Sequence, residues 1–210
     1  MGIHTLKTGI MGGTFDPPHY AHLILAEQAK EQFHLDRVLF MPNGSPPHKP
    51  VRTGRADNEQ RLQMCALAVA GNPGLELCDL EMKSEGPSYS YLTLEKLHQI
   101  YPEDEFYFII GADSLFDFPG WRQPQKICDQ CILLCAVRNN CSEEEIQKGM
   151  ETLKTAFGAR IELIRTPNMD ISSKMLRQMI HEGRSVRYYM PDDVIRYIAE
   201  QRIYSNLQIQ

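Results

Sequence analysis

Residues 12–22 read Gly-Gly-Thr-Phe-Asp-Pro-Pro-His-Tyr-Ala-His, and this stretch decides the predicted fold. An apolar run ending at Ile10-Met11 precedes it, and an amphipathic run from Leu23 to Phe33 follows it. This order predicts a strand, a tight glycine turn and a helix. Adjacent glycines let the backbone approach a ligand closely, and the unpaired N–H groups of a helix start favour anions. The stretch therefore predicts a phosphate-binding turn.

Two histidines of this stretch are candidates for the same phosphate. His19 and His22 are three residues apart, so a helix beginning near Pro18 places both imidazoles on one face. The glycine spacing does not give the dinucleotide fingerprint G-x-G-x-x-G, and no Gly-Lys-Ser/Thr follows to make a P-loop. The less specific alternative is an ordinary strand–helix turn with two solvated histidines.

Composition sets broad limits on the kind of protein. The 210 residues suffice for a single well-buried domain, which we assign to residues 1–210. The 22 Lys and Arg residues against 27 Asp and Glu residues give a net charge of −5, which argues against a general nucleic-acid binder. No apolar run approaches membrane-spanning length and the N-terminus lacks a signal-peptide pattern, so no membrane association and a cytoplasmic location are expected.

Alternating apolar runs predict an α/β fold. Strands are predicted at residues 6–11, 37–41, 75–82, 105–110, 131–137 and 161–164. Helices are predicted at about 20–33, 56–70, 91–100, 143–157, 172–181 and 192–199. This alternation predicts a mostly parallel central sheet with helices on both faces and a small C-terminal helical segment. Ligands of such sheets bind at the carboxyl ends of the strands.

The cysteines could suggest a metal site, through the spacing Cys128-x-x-Cys131. However, Cys131 and Cys135 lie in an apolar, strand-like run, where free cysteine behaves as a small buried hydrophobe. No second C-x-x-C and no paired histidines accompany them, so a structural zinc site is the less favoured interpretation.

A second polar motif covers residues 170–177, Asp-Ile-Ser-Ser-Lys-Met-Leu-Arg. Ser172 or Ser173 is a good N-cap, and the helix start is again an anion site. Helical side chains lean toward the N-terminus, so the guanidinium of Arg177 is expected to reach an anion held there. Taken alone, the motif is more often a plain capped helix with a surface arginine.

Weaker candidates for a nucleotide pocket follow other predicted strands. Lys49, in a loop with three prolines, could reach a phosphate, but a solvated loop lysine is an equal alternative. Gly111 would let a ring or ribose approach, and Asp113 could accept hydrogen bonds from it or simply cap a helix. Arg138 follows the fifth strand and is the weakest candidate.

An acceptor pocket is predicted from a second group of residues. Ser88, Tyr89 and Ser90 run from a loop into a helix, whose N–H groups could hold a carboxylate. Trp121, the single tryptophan, follows the irregular stretch Phe-Pro-Gly at residues 118–120, and a flat substrate could stack on it. The alternative is a tryptophan that closes a small core.

Together these motifs resemble the nucleotidyltransferase superfamily, with G-x-F-x-P-x-H followed by G-H, and I-S-S-T-x-I/L-R near the C-terminus. The first signature is filled by Gly13, Phe15, Pro17, His19 and His22. Ala21 stands where the family usually has Gly, and Lys174 where it usually has Thr. The segment Gly-Pro-Ser-Tyr-Ser-Tyr at 86–91 and Trp121 make the chain similar to the bacterial nicotinate-nucleotide adenylyltransferase family.

The resemblance implies a Rossmann-like fold and the reaction of nicotinate mononucleotide with ATP, giving nicotinate adenine dinucleotide and pyrophosphate in NAD synthesis. It implies Mg²⁺, carried mainly by the ATP phosphates. The implied catalytic residues are His19, His22 and Arg177. The implied ATP-binding residues are Gly12, Gly13, Thr14, Phe15, Lys49, Gly111, Asp113, Arg138, Ser172 and Ser173. The implied acceptor-binding residues are Ser88, Tyr89, Ser90 and Trp121.

The sequence leaves two alternative functions open. One is another adenylyltransferase of the superfamily, with nicotinamide mononucleotide or phosphopantetheine as acceptor. The other is a non-catalytic nucleotide sensor on the same fold. Neither nucleic acid nor membrane is an expected partner, and a homo-oligomer is compatible with the sequence.

Overall fold

The computed structural model describes residues 5–44, 54–84, 86–136 and 142–205. Within these ranges the strands are β1 (Lys7–Gly13), β2 (Arg37–Pro42), β3 (Leu75–Leu77), β4 (Glu105–Gly111), β5 (Ile132–Ala136) and β6 (Ile161–Ile164). The helices are α1 (Tyr20–Gln32), α2 (Asn58–Val69), α3 (Ser90–Ile100), α4 (Ala112–Asp117), α5 (Pro124–Gln130), α6 (Glu143–Phe157), α7 (Ser173–His181) and α8 (Asp192–Glu200), with a 3₁₀ turn at Phe118–Gly120.

The six strands form one sheet in the order β3-β2-β1-β4-β5-β6, and all five pairings are parallel. The order reverses between β1 and β4, which is the topological switch point of a doubly wound sheet. The prediction of a Rossmann-like α/β fold is confirmed. The switch point places the end of β1, and the turn that follows it, at the usual position of a nucleotide site.

Both faces of the sheet are buried because the central strands are apolar on both sides. Alternate residues of a strand face opposite sides, so Ile10 and Met11 enter different cores. The Ile10 face packs against α3, α4, α5 and α6, and the Met11 face packs against α1 and α2. The predicted helices on both faces are therefore confirmed.

A third core joins the C-terminal helices to α2. It includes Met64 of α2, Leu176 of α7 and Val194 and Ile198 of α8. This is the predicted small C-terminal helical segment. Its consequence for the site is that α2 and α7, which both reach the turn after β1, are packed into one unit.

One predicted strand was too long, and two short helices were not predicted. The strand predicted at 75–82 ends at Leu77. A turn follows, in which the backbone N–H of Lys83 donates to the carbonyl oxygen of Asp79 and the Ser84 hydroxyl donates to that of Leu80. The stretch around residues 118–120, expected to be irregular, lies between two short helices, α4 and α5. Pro124 begins α5, since proline suits a first helical turn.

The two cysteines of the Cys128-x-x-Cys131 spacing are both buried. Cys128 and Cys131 lie in the core beside α5 and β5. Burial raises the pKa of the Cys128 thiol to about 11 and also raises the pKa of Cys131. Both thiols therefore pack as small apolar side chains of the core. Among the described residues, no helix is long and apolar enough to cross a membrane.

Candidate active site

The turn between β1 and α1 is shaped by its glycines and by Phe15. A Cβ at Gly13 would lie 2.9 Å from the Phe15 ring, so only glycine fits there. A Cβ at Gly12 would meet nothing within 4 Å, because this residue lies on the open side of the turn. Phe15 is buried with a φ of 47° and stacks on Phe40 at 4.1 Å between ring centroids. The turn is thus anchored by an aromatic ring and open beside Gly12.

The two histidines are stacked on each other at the start of α1. Their ring centroids are 3.7 Å apart. His19 is the N-cap of α1, and the helix begins at Tyr20, as the predicted range of about 20–33 expected. The Nδ1 atom of His22 accepts a hydrogen bond of 3.2 Å from the backbone N–H of His19. Because Nδ1 is the acceptor, the ring proton of neutral His22 resides on Nε2.

The second motif meets the first one directly. Ser172 is the N-cap of α7 and accepts from the backbone N–H of Met175 at 3.2 Å. Ser173 Oγ donates to the carbonyl oxygen of Pro17 at 2.8 Å. Arg177 donates to the carbonyl oxygen of Asp16. The start of α7 and the turn after β1 therefore form one structural unit, although 156 residues separate Pro17 from Ser173.

Arg177 is buried against the turn after β1. The residue is 5% exposed. Its guanidinium donates to the Asp16 carbonyl oxygen and also lies 3.7 Å from the Asp16 carboxylate. These contacts tie α7 to the turn after β1. A direct contact between Arg177 and phosphate stays a prediction.

Asp16 is a buried acceptor of several hydrogen bonds, which the sequence analysis did not predict. Its carboxylate accepts from Arg55 at 2.7 Å, from the Tyr204 hydroxyl at 2.7 Å and from the backbone N–H of Ala56 at 3.3 Å. Burial, reinforced by Asp16, raises the pKa of Tyr204 well above its usual range, so the hydroxyl remains a donor. Asp16 thus ties the turn to the chain before α2 and to the C-terminal segment.

Arg61, in the first turn of α2, was also missed. It is 4% exposed and donates to the carbonyl oxygens of Thr14 at 2.8 Å and Asn43 at 2.7 Å. These atoms follow the ends of the neighbouring strands β1 and β2. The available sequence signal was the capping box of Asp57 and Gln60, which places residue 61 near a helix start but does not show that it is buried.

The structure describes two of the four remaining predicted ATP-binding residues. Gly111 ends β4, the neighbour of β1, and a Cβ there would meet nothing within 4 Å. Asp113 is exposed in the first turn of α4. Lys49 and Arg138 lie outside the described residues.

The predicted acceptor residues lie on two neighbouring segments. Tyr89 is the N-cap of α3, and the Arg122 guanidinium lies 5.6 Å from the centre of its ring. Trp121 is half-buried and stacks on Phe118 at 5.1 Å. One face of the indole therefore belongs to the core, as the alternative interpretation expected, while the segment that carries it lies beside Tyr89.

Ser88 contributes to this region through a partly buried acid, Glu81. It hydrogen-bonds to Glu81, which also accepts from the Thr93 hydroxyl at 2.6 Å. Burial raises the pKa of Glu81, against the opposing effects of these two hydroxyls and of Lys96. Glu81 thus joins the turn after β3 to the start of α3, where Ser90 is the first helical residue.

Comparison with known proteins shows the family to which the chain belongs. The family model described as Cytidylyltransferase-like matches residues 10–179. A probable nicotinate-nucleotide adenylyltransferase of Lachnoclostridium phytofermentans is 40% identical over 198 residues, which cover 94% of this chain and 98% of that protein. The chain belongs to the nicotinate-nucleotide adenylyltransferase family. A protein of the same name from Geobacter sulfurreducens is 40% identical over 215 residues, covering 96% of this chain and 99% of its own.

Solved structures of adenylyltransferases share the fold. A Plasmodium falciparum nicotinic acid mononucleotide adenylyltransferase complexed with NaAD superposes with a TM-score of 0.77 at 22% identity, covering 96% of this chain and 98% of that one. A putative nicotinate-nucleotide adenylyltransferase from Vibrio parahaemolyticus gives a TM-score of 0.67 at 20% identity, with 97% and 98% covered. The family's fold is thus the one described above.

Two positions depart from the nucleotidyltransferase superfamily motifs that the sequence resembles. Ala21 is buried in the first turn of α1, so its methyl group adds little to the open side of the turn. Lys174 is exposed in the first turn of α7. The lysine adds a positive charge beside the helix start, where the usual threonine would supply a hydroxyl.

Proposed function

We propose that the protein transfers AMP from ATP to nicotinate mononucleotide, giving nicotinate adenine dinucleotide and pyrophosphate, a step of NAD biosynthesis. The single observation that carries the proposal is the joining of the β1–α1 turn to the start of α7 through Ser173 and Pro17. Two anion-binding elements then lie at one edge of the sheet, as a triphosphate requires. The names of the relatives that match along nearly the whole chain support the same activity.

The chemistry needs positioning more than it needs a base. The phosphate of the mononucleotide is already ionised near pH 7, so it can attack the α-phosphorus of ATP without losing a proton to the protein. One oxygen–phosphorus bond forms as the bond from the α-phosphorus to the bridging oxygen breaks, and pyrophosphate leaves with the electron pair. Catalysis then depends on in-line alignment and on stabilising negative charge.

His22 is the proposed donor to the α-phosphate. Its Nδ1 atom is engaged by the His19 N–H, so Nε2 carries the proton of the neutral ring. A donor held in this way loses little freedom when charge develops on the phosphate. His19, 1% exposed and stacked on His22, fixes the orientation of that ring.

The start of α7 is the proposed site of the β- and γ-phosphates. Its first N–H groups, beginning after Ser172, carry the positive end of a nine-residue helix. Gly12, Gly13, Thr14 and Phe15 would surround the phosphates from the other side. Lys49, Arg138, Gly111 and Asp113 are kept as proposed ATP-binding residues on the strength of the sequence motifs.

Mg²⁺ is proposed to enter with ATP. Among the described residues, no group of three or more His, Cys, Asp or Glu side chains could hold a metal ion. The buried carboxylate of Asp16 is already engaged by Arg55 and Tyr204. This donor set fits an ion held mainly by phosphate oxygens and water. When bound, Mg²⁺ would neutralise charge on the triphosphate.

The acceptor is proposed to bind between α3 and Trp121. The N–H groups at the start of α3, after Tyr89, would hold the carboxylate of nicotinate. Ser88 and Ser90 flank that helix start. A free face of the Trp121 indole would stack on the pyridine ring.

The test is pyrophosphate release from ATP by the purified protein with separate acceptors. We expect nicotinate mononucleotide to give the highest kcat/KM and nicotinate adenine dinucleotide as product by mass spectrometry. Equal kcat/KM with nicotinamide mononucleotide would contradict the proposed carboxylate site. Turnover with phosphopantetheine alone would assign another adenylyltransferase activity. ATP binding without pyrophosphate release from any acceptor would indicate a nucleotide sensor. A cytoplasmic location and a homo-oligomer stay predictions.

A further inference from the structure

Arg61 is a buried cation whose hydrogen bonds go to main-chain carbonyls and amide side chains. Its two terminal nitrogens donate to the carbonyl oxygens of Thr14 and Asn43 and, at 2.7 Å, to the side chain of Asn58. Burial lowers its pKa, and the Asp16 charge opposes this effect. A buried guanidinium is costly unless its donors are satisfied, and here the two terminal nitrogens bond to residues that directly follow β1 and β2, the strands that border the site.

The contact with Thr14 sets the direction of one peptide of the phosphate turn. The Thr14–Phe15 peptide is trans, since Asp16–Pro17 is the cis bond recorded among the described residues. In a planar trans peptide the C=O and N–H groups point in opposite directions. Because the Thr14 carbonyl is turned toward Arg61, the Phe15 N–H is turned away from Arg61 and from the interior of α2.

The side chains around the turn carry more positive than negative charge. Arg55 and Arg177 both lie against the Asp16 carboxylate, and Asp16 also acts electrostatically on Arg61. Among the described residues, three arginines therefore share one buried carboxylate. Asp57, the other carboxylate that acts on Arg61, is exposed at the start of α2. The base of the turn is positive in a chain whose net charge is −5.

We propose that Arg61 is a positioning residue for adenylyl transfer, which holds the Thr14 carbonyl inward so that the Phe15 N–H faces the triphosphate. The inference rests on the proposed function, because it assigns the N–H to a phosphate of ATP. Arg61 itself does not touch the substrate. It acts through the turn, and its buried charge adds a favourable potential for the anion above it.

Arg37 provides a matched control at the opposite edge of the sheet. Its guanidinium also donates several hydrogen bonds. They go to Thr8 at 3.1 Å, to Asp104 at 2.9 Å and to Glu76 at 3.1 Å. It begins β2, whereas Arg61 contacts the residues that follow β1 and β2. A lysine at either position keeps one positive charge and loses the fork of donors. The two changes should therefore cost similar stability at different distances from the site.

The experiment compares Arg61→Lys and Arg37→Lys with the wild type. Thermal unfolding gives the stability of each, and steady-state pyrophosphate release gives kcat and the two KM values. Titration calorimetry with a non-hydrolysable ATP analogue and Mg²⁺ gives the dissociation constant. For Arg61→Lys we expect kcat to fall about tenfold and the analogue to bind about tenfold more weakly, with KM for the mononucleotide within about twofold. For Arg37→Lys we expect all of these within about twofold.

Specific outcomes would overturn the inference. One is Arg61→Lys retaining both kcat and analogue binding within about twofold of the wild type. Another is Arg37→Lys losing as much as Arg61→Lys, which would make the effect one of general stability. The proposed function fails separately, when the wild type releases no pyrophosphate. In that event the calorimetric comparison of the two lysine variants still supports or overturns the role of Arg61 in holding a triphosphate.

Discussion

The Nδ1 atom of His22 accepts a hydrogen bond of 3.2 Å from the backbone N–H of His19. The same contact satisfies a main-chain donor at the helix start and fixes the position of the ring proton. His22 can then meet a phosphate as a hydrogen-bond donor through Nε2. The Nδ1 atom of His22 thus acts as a structural cap, while its Nε2 atom is the proposed donor to the phosphate.

The two roles of His22 can be separated by mutation. His22→Ala should lower kcat by about a hundredfold or more, because a positioned transition-state donor is lost. His22→Asn places an acceptor near the Nδ1 position but supplies nothing at Nε2, so it should lose as much activity while retaining more stability. Steady-state kinetics and thermal unfolding of both variants test this. Near-normal turnover by either variant would remove His22 from the mechanism.

Tyr204 should stabilise the phosphate turn from the C-terminal end of the chain. Its hydroxyl donates to the buried Asp16 carboxylate at 2.7 Å, and hydrogen bonds to charged groups are the strong ones. We expect Tyr204→Phe to lower the free energy of unfolding by about 2 kcal/mol in urea denaturation. The matched control is Tyr188→Phe, at a residue that is 83% exposed, which should change it by less than about 0.5 kcal/mol. Equal effects of the two changes would show that the Asp16 contact contributes nothing.

Trp121 is expected to act on the acceptor and not on ATP. Trp121→Ala should raise KM for nicotinate mononucleotide about tenfold and leave KM for ATP within about twofold, because a stacked ring is lost. Since the indole also packs on Phe118, Trp121→Phe serves as the control that keeps an aromatic ring. A rise confined to KM for ATP would show that the acceptor pocket lies elsewhere.

Glu81 should make stability depend on pH. Burial raises its pKa above the ordinary value of 4.5, so in the window between that value and the folded value the native state holds an additional proton. Stability is then lost as the pH rises through this window. Glu81→Gln removes the charge but keeps an acceptor for Thr93, so its stability relative to the wild type should increase as the pH rises from about 4 to 8. A constant difference across urea titrations at these pH values would contradict the assignment.

Local patterns predicted much of the fold, because strands and helices follow from short-range periodicity. The helix at residues 143–157 and the strand at residues 161–164 match α6 and β6. The short helices α4 and α5 were missed because the Phe-Pro-Gly at residues 118–120 interrupts any helical period. The predicted strand after Leu75 was too long because apolar residues continue into a turn.

The contacts that support the site could not be predicted from local patterns. Asp16 and Tyr204 are 188 residues apart, and Arg61 and Thr14 are 47 residues apart. Nothing in the local sequence distinguishes Arg61 from a solvated helix arginine, and its burial depends on how α2 packs on the ends of β1 and β2. Arg177 was identified from its motif, but the contact it makes depends on the same long-range packing.

A crystal structure of the protein with a non-hydrolysable ATP analogue and Mg²⁺ tests the central claim most directly. The account predicts the α-phosphate about 3 Å from His22 Nε2. It also predicts the β- and γ-phosphates against the backbone N–H groups that follow Ser172. A triphosphate bound away from the β1–α1 turn, or one that contacts only one of these two elements, would contradict it.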